Sequence, residues 1–81
     1  MKIVWDEPKR GYNLEKHGLD FATLDLEFFL DSKVVASHSG RFKAIGLLDG
    51  RALAVVFAPV GSQAIAVVSM RVASARERTI L

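Results

Sequence analysis

Cysteine is missing from all 81 residues. No disulfide or thiolate zinc site can therefore staple the fold, and a reducing compartment, the cytoplasm, is the expectation. Only two histidines occur, His17 and His38. They are too few for a protein-only zinc site without supporting carboxylates, so neither a metal nor a cofactor is expected. No apolar run approaches the roughly 20 residues that a membrane-spanning helix needs. The opening residues also lack the basic-then-apolar layout of a signal peptide. Internal repeats, linkers and low-complexity segments are absent as well. The chain is expected to form one soluble domain over residues 1–81, near the small end of what folds without staples. A strong charge of one sign is lacking too: 11 Lys and Arg face 9 Asp and Glu, a net +2. Bulk charge alone thus argues for no polyanionic partner.

Charge placement says more than charge total. Residues 19–31 carry Asp20, Asp25, Glu27 and Asp31 with no basic residue, whereas Arg41, Lys43, Arg51, Arg71, Arg76 and Arg78 lie in the second half and the tail. Hydrophobic residues make up 51% of the chain, enough for one two-layer core. Net stability by per-residue scaling is then about 4–12 kcal/mol.

Residues 52–57 are apolar without alternation, which predicts a strand at the centre of its sheet or covered on both faces. This run follows Asp49-Gly50, a pair that favours a tight hairpin because both positions tolerate positive φ. Residues 41–48 and 63–71 are β-patterned too, and Pro59, Gly61 and Ser62 are expected to break the chain after the central strand. By simple alternation, Ser69 and Arg71 belong on the same face as Ile65 and Val67. A face that turns from apolar to polar along its length is leaving the core for a rim. Residues 33–37 read as a further strand, His38-Ser39-Gly40 as a turn, and Gly46 as a bulge or a point of close backbone approach.

Residues 2–5 are a short β-prone run expected to join the sheet. Asp6 offers an N-cap and Pro8 a first-turn residue for a helix over 7–17 that Gly18 ends. With Tyr12 and Leu14 as its only sizeable apolar residues, that helix should be mostly solvent-facing. Asp20 caps a second helix, predicted as one element over 21–30. Its Phe21, Leu24 and Phe28 cover the sheet, with Ala22, Leu26 and Phe29 widening the stripe. Residues 72–81 suggest a short C-terminal helix. The class is α+β: an N-terminal strand, two helices, a four-stranded antiparallel meander and a short C-terminal helix.

Trp5-Asp6 with Lys9, Asn13 with Lys16-His17-Gly18 and Phe21, Gly40-Arg41, Ile45-Gly46, Gly50-Arg51, and finally Ser69, Arg71, Ala73 and Glu77-Arg78 form a series. In order and spacing, over nearly the whole chain, it resembles the BrnT toxins of bacterial type II toxin-antitoxin pairs. The most specific piece is W-D-x-x-K with N-x-x-K-H-G eight residues after the tryptophan. The resemblance implies a RelE-like fold, in agreement with the elements above, and cleavage of RNA. It also implies a BrnA-like ribbon-helix-helix antitoxin that represses the shared operon, so that DNA is met only through the antitoxin. An exposed sheet edge would allow a homodimer, and the antitoxin a heterotetramer. The chain departs from its relatives at Pro59-Val60-Gly61 and at Ala66, where they carry arginine. It also has Met70 in place of a small residue, and no aromatic residue near the end of the tail. A second expectation follows: a catalytically weak or inert relative that serves as a binding partner and corepressor with its antitoxin.

Metal-free RNA cleavage needs a base near the 2′-OH, positive charge on the phosphorane and an acid for the leaving oxygen. His17 is the acid-base candidate by residue type; its place at a helix end gives it the alternative of satisfying the last carbonyls. Lys16 beside it is a candidate phosphate contact. Arg71, at the end of a buried strand, has the planar fork that suits phosphate oxygens, or would pair with Glu77. Glu77 is the candidate base, or merely solubilising charge. Arg41, Lys43 and Arg51 make a basic rim for an RNA backbone, and His38 is an exposed turn residue. Direct DNA reading by a helix-turn-helix fails on charge, because the second helix would present Asp20, Asp25, Glu27 and Asp31 to phosphates.

Overall fold

The computed structural model describes residues 1–81. Its elements are β1 (Lys2–Trp5), α1 (Glu7–His17), a 3₁₀ turn (Phe21–Thr23), α2 (Leu26–Asp31), β2 (Lys33–Ala36), β3 (Phe42–Leu48), β4 (Arg51–Val60), β5 (Ala64–Val72) and α3 (Ala75–Arg78). The strands form one sheet in the order β1-β5-β4-β3-β2. From β2 to β5 the neighbours are antiparallel, while β1 lies parallel to β5. The α+β class and the meander agree with the sequence pattern, and the first strand makes the sheet mixed. As its unbroken apolar run requires, β4 is the middle strand. Asp49 and Gly50 take φ of 50° and 79°, the left-handed pair that a two-residue hairpin needs.

Alternation along the strands gives the sheet an inner and an outer face. On the inner face Ala44, Leu53, Val55, Phe57, Ile65, Val67 and Met70 meet Leu19, Phe21, Leu24 and Phe28 in one buried cluster. The Phe57 ring stacks on Phe42 with centres 5.9 Å apart and meets Phe29 edge-on at 5.4 Å. Trp5 meets Phe21 edge-on at 6.4 Å. A Cβ on Gly46 would stand 3.1 Å from both the Phe28 ring and the Ser32 Cβ. Gly46 is therefore a close approach of β3 to α2, and not a bulge.

Several elements differ in extent from the sequence pattern. The second helix splits: Asp20 caps only the 3₁₀ turn, Leu24 becomes extended, and Asp25 caps α2 by accepting from the Phe28 N–H at 2.8 Å. Two aspartates five residues apart each bind nearby backbone N–H groups, so the chain begins a helix twice. Beyond Phe57, β4 has lost β3 and pairs with β5 alone, up to Val60. Pro59 does not end the strand because only one side has a partner there. The C-terminal helix shrinks to four residues, since β5 continues to Val72 and Ser74 starts a new capped turn.

The difference with most consequence lies inside β5. Val56 pairs with Ser69 but Phe57 pairs with Val67, so Val68 has no partner on β4. One extra residue reverses the alternation of everything after it. Ile65, Val67 and Met70 face the core, and Ser69 and Arg71 lie on the outer face, opposite to the one expected for them.

Candidate functional site

The position of α1 depends on one buried residue, Asn13. Pairing of β1 with β5 stops at Val67, which leaves the next stretch of that edge without a strand. Asn13 takes the strand's place. Its Nδ2 donates to the Met70 carbonyl at 2.9 Å and the Leu19 carbonyl at 3.0 Å, and its Oδ1 accepts from the Met70 N–H at 3.0 Å. Both backbone groups of a buried strand residue are thus satisfied by a helix side chain. Arg10 adds a second tie, donating to both oxygens of Asp20 at 3.1 Å. The Ala22 N–H and then Arg10 hold the Asp20 carboxyl below its ordinary range.

This docking leaves a cleft of about 290 Å³ between α1 and the bulge. Lys9, Tyr12, Lys16 and His17 line it from the helix, and Val68 and Ser69 from the strand. Lys16 Nζ stands 5.7 Å from the centre of the Tyr12 ring, a cation–π contact. The structure therefore brings Lys16 and His17 together in one concavity. At the helix end it is the Gly18 N–H, at φ 68°, that takes the Leu14 carbonyl, and His17 stays exposed at the cleft wall.

On the outer face Lys43 of β3 and Arg71 of β5 stand with β4 between them. Their charged heads converge on Glu77 of α3. Arg71 reaches both carboxylate oxygens, at 2.7 and 2.8 Å, and Lys43 Nζ reaches Oε2 at 2.7 Å. The Ser74 N–H donates to Oε1 at 2.9 Å. Glu77 is only 6% exposed. Arg71 above all, with Lys43 and the Ser74 N–H, holds its carboxyl far below the usual carboxylate range. Glu77 in turn raises the Arg71 guanidinium. Glu77 thus pairs with Arg71, the alternative that the sequence offered for that arginine, and its carboxylate lies between the two cations. Through these bonds α3 lies across the outer face, where Ile45 and Ala54 are buried.

Ser69 belongs to both places. It lines the cleft and it neighbours Arg71 on the outer face, so the cleft and the cation pair adjoin. Arg41 stands two residues ahead of Lys43, where β3 begins. Arg51 is separate: it shares the alternation of Leu53 and Val55 and lines a hollow with Leu19, Asp20 and Met70 on the inner side. The rim expected from Arg41, Lys43 and Arg51 is therefore split between two faces. Val60 and Ala66, where the resemblance implies arginine, share the outer face with Arg71. Reasoning from residue chemistry overlooked Lys9 in the cleft and the anchoring role of Asn13. The one available signal for Asn13 was a short amide within a motif on an otherwise exposed helix. No group of three or more His, Cys, Asp or Glu stands where it could hold a metal ion. No helix is long and apolar enough to cross a membrane.

A family model described as the ribonuclease toxin BrnT of type II toxin-antitoxin systems matches residues 5–77. No curated protein sequence matches the chain. Among solved structures, the 1.1 Å crystal structure of the Brucella abortus ribonuclease toxin BrnT is 57% identical, with a TM-score of 0.87. The likeness covers 91% of this chain and 97% of that one. With the match running from Trp5 to Glu77, and so taking in both the cleft and the cation pair, this chain belongs to the BrnT family of ribonuclease toxins from type II toxin-antitoxin systems.

Proposed function

We propose that this toxin cleaves RNA by a metal-independent route where the cleft meets the outer face. The observation that carries this reading is the bulge at Val68. It turns Ser69 and Arg71 to one side and sets the Lys43–Arg71 pair beside a cleft lined by Lys16 and His17. In such a reaction a ribose 2′-oxygen bonds to phosphorus as the bond to the 5′-oxygen breaks. The 2′-proton passes to a base, and the departing oxygen takes a proton from an acid. His17 serves one of these two proton transfers, with water completing the other, and Lys16 steadies the nearby phosphate. Arg71 and Lys43 offset the charge that builds on the phosphorane. Arg41 extends the contact along the backbone, Arg51 has at most a peripheral part, and Glu77 holds the two cations in position until RNA binds.

The test compares RNA cleavage by the wild type with Arg71→Ala and His17→Ala, each shown to be folded by circular dichroism and thermal melting. Arg71→Ala should cut the rate by about 100-fold or more. Equal cleavage by wild type and Arg71→Ala removes Arg71 from the mechanism.

Membership of a type II toxin family implies an antitoxin partner as well as an RNA substrate. We assign the partner to a BrnA-like ribbon-helix-helix antitoxin, bound to the toxin in the cytoplasm. DNA is contacted through it alone, in keeping with Asp25, Glu27 and Asp31 along α2. A second reading rests on Val60 and Ala66, apolar residues on the outer face at positions where the family resemblance implies arginine. In that reading the chain is a weak or inert relative whose main work is corepression. Expression of the chain alone in a sensitive host separates the two: growth arrest relieved by the antitoxin supports the enzyme, and unhindered growth supports the inert form.

A further inference from the structure

Lys43 and Arg71 come from separate strands, yet both reach one oxygen, Glu77 Oε2, at 2.7 and 2.8 Å. Two cations this close repel one another unless an anion sits between them. The cations stand on β3 and β5 of a five-stranded sheet, one on either side of β4. The anion arrives on α3, a helix of four residues, too short to persist on its own hydrogen bonds. Apart from the ion network, α3 is held by the Ser74 capping box and by the buried Ala73 before it. Arg76, Arg78 and Thr79 are exposed. The cation pair is thus the fixed half of the contact and the carboxylate the detachable half. A carboxylate and a phosphodiester each offer two oxygens to a guanidinium fork.

We propose that Lys43 and Arg71 form a binding site for one internucleotide phosphate of RNA, and that Glu77 is its built-in occupant, which RNA must displace together with α3. This rests on the reading of the chain as an RNA-cleaving toxin and adds to it a threshold. A strand that meets the cleft alone is held weakly. A strand that also presents a phosphate to the cation pair exchanges one anion for another and opens the outer face. The exchange keeps the local charge balanced, and Ile45 and Ala54 become accessible as α3 swings away.

The experiment measures binding of a 2′-O-methyl RNA oligonucleotide, which cannot be cleaved, to the full chain. Glu77→Gln keeps the side-chain size and the Ser74 N–H bond while no longer neutralising the pair. Affinity should rise about tenfold in Glu77→Gln, and by less than about twofold when the same change is made in an Arg71→Ala background. Hydrogen exchange on the wild type supplies a readout that needs no variant. The Glu77 and Arg78 amides, bonded to Ser74, and the Ile80 amide, bonded to the Glu77 carbonyl, should lose protection when the oligonucleotide binds. Inorganic phosphate in its place should leave them unchanged; loss of protection with phosphate alone would make this a general anion site and overturn the RNA assignment. If Glu77→Gln does not fold, Ser74→Ala replaces it, since it loosens the cap and leaves the carboxylate in place; affinity should then rise by about two- to fivefold. A folded Glu77→Gln or Ser74→Ala that binds no tighter, or α3 amides that keep their protection, overturns the inference while leaving RNA cleavage standing. Absence of RNA binding in the wild type and in every variant overturns both.

Discussion

Leu53, Val55 and Phe57 on β4 meet a packed layer of aromatic and aliphatic side chains, whereas Ala54 between them is buried on the face to which a four-residue helix is fastened by charges. The inner face is buried, and its cohesion comes from apolar area that nothing small can replace. The outer face is organised by Lys43, Arg71 and Glu77, a network in which another anion is a chemically equivalent substitute. Stability therefore resides on one side of the sheet and exchangeability on the other. Asn13 stands at the boundary, where it joins α1 to the edge of β5.

Substitutions rank along that division. Phe21→Ala empties a site with no exposure and should cost about 3–5 kcal/mol, a large share of the whole stability, read from urea denaturation. A cost below about 1 kcal/mol would break the distinction between the faces. Asn13→Ala leaves the Met70 N–H and two carbonyls unpaired and should cost about 2–3 kcal/mol. It should also lower RNA cleavage more than Tyr12→Ala does, because α1 loses its register on the strand. Glu77→Gln should cost only about 1–2 kcal/mol.

The Glu77 effect also carries a pH signature. The carboxyl sits below its ordinary value of 4.5 in the folded chain, so the unfolded chain takes up the proton first as pH falls. The stabilisation is complete well above pH 4.5 and is lost below it. Denaturation of wild type and Glu77→Gln at pH 7, 5 and 3 should show a stability gap that is unchanged between the first two and shrinks at the third. A gap that widens on acidification would reverse the assignment. The smallest effect belongs to Arg51→Ala, which lies off the outer face. It should change stability by less than about 0.5 kcal/mol and RNA affinity by less than Lys43→Ala does, measured in parallel titrations.

The meander was readable because local signals agreed: Asp49-Gly50 between two apolar runs has few other conformations to choose. Both ends of α1 were marked by Asp6 and Gly18, whose caps form as their residue types demand. The split of the second helix was harder, since Asp20 and Asp25 are equally good caps and only packing decides between one helix and two. The bulge left no trace in sequence. Residues 64–72 read AIAVVSMRV, and either alternation of Val67, Val68, Ser69 and Met70 satisfies a half-buried strand. Yet that spare residue decides which face carries Arg71. The Arg71–Glu77 pair was among the alternatives the sequence offered, but the burial of Glu77 was not legible, because it depends on Lys43 and Arg71 from distant parts of the chain.

Parallel pairing of β1 with β5 sets Lys2 beside Ala64 and Trp5 beside Val67. A polypeptide leaving the ribosome must therefore carry its first strand unmated until the last one has been made, a long closure that only late contacts can reward. Asn13 waits on Met70 in the same way. A nascent copy that has not yet made β5 thus has neither a walled cleft nor a docked α1, since both are built against that strand.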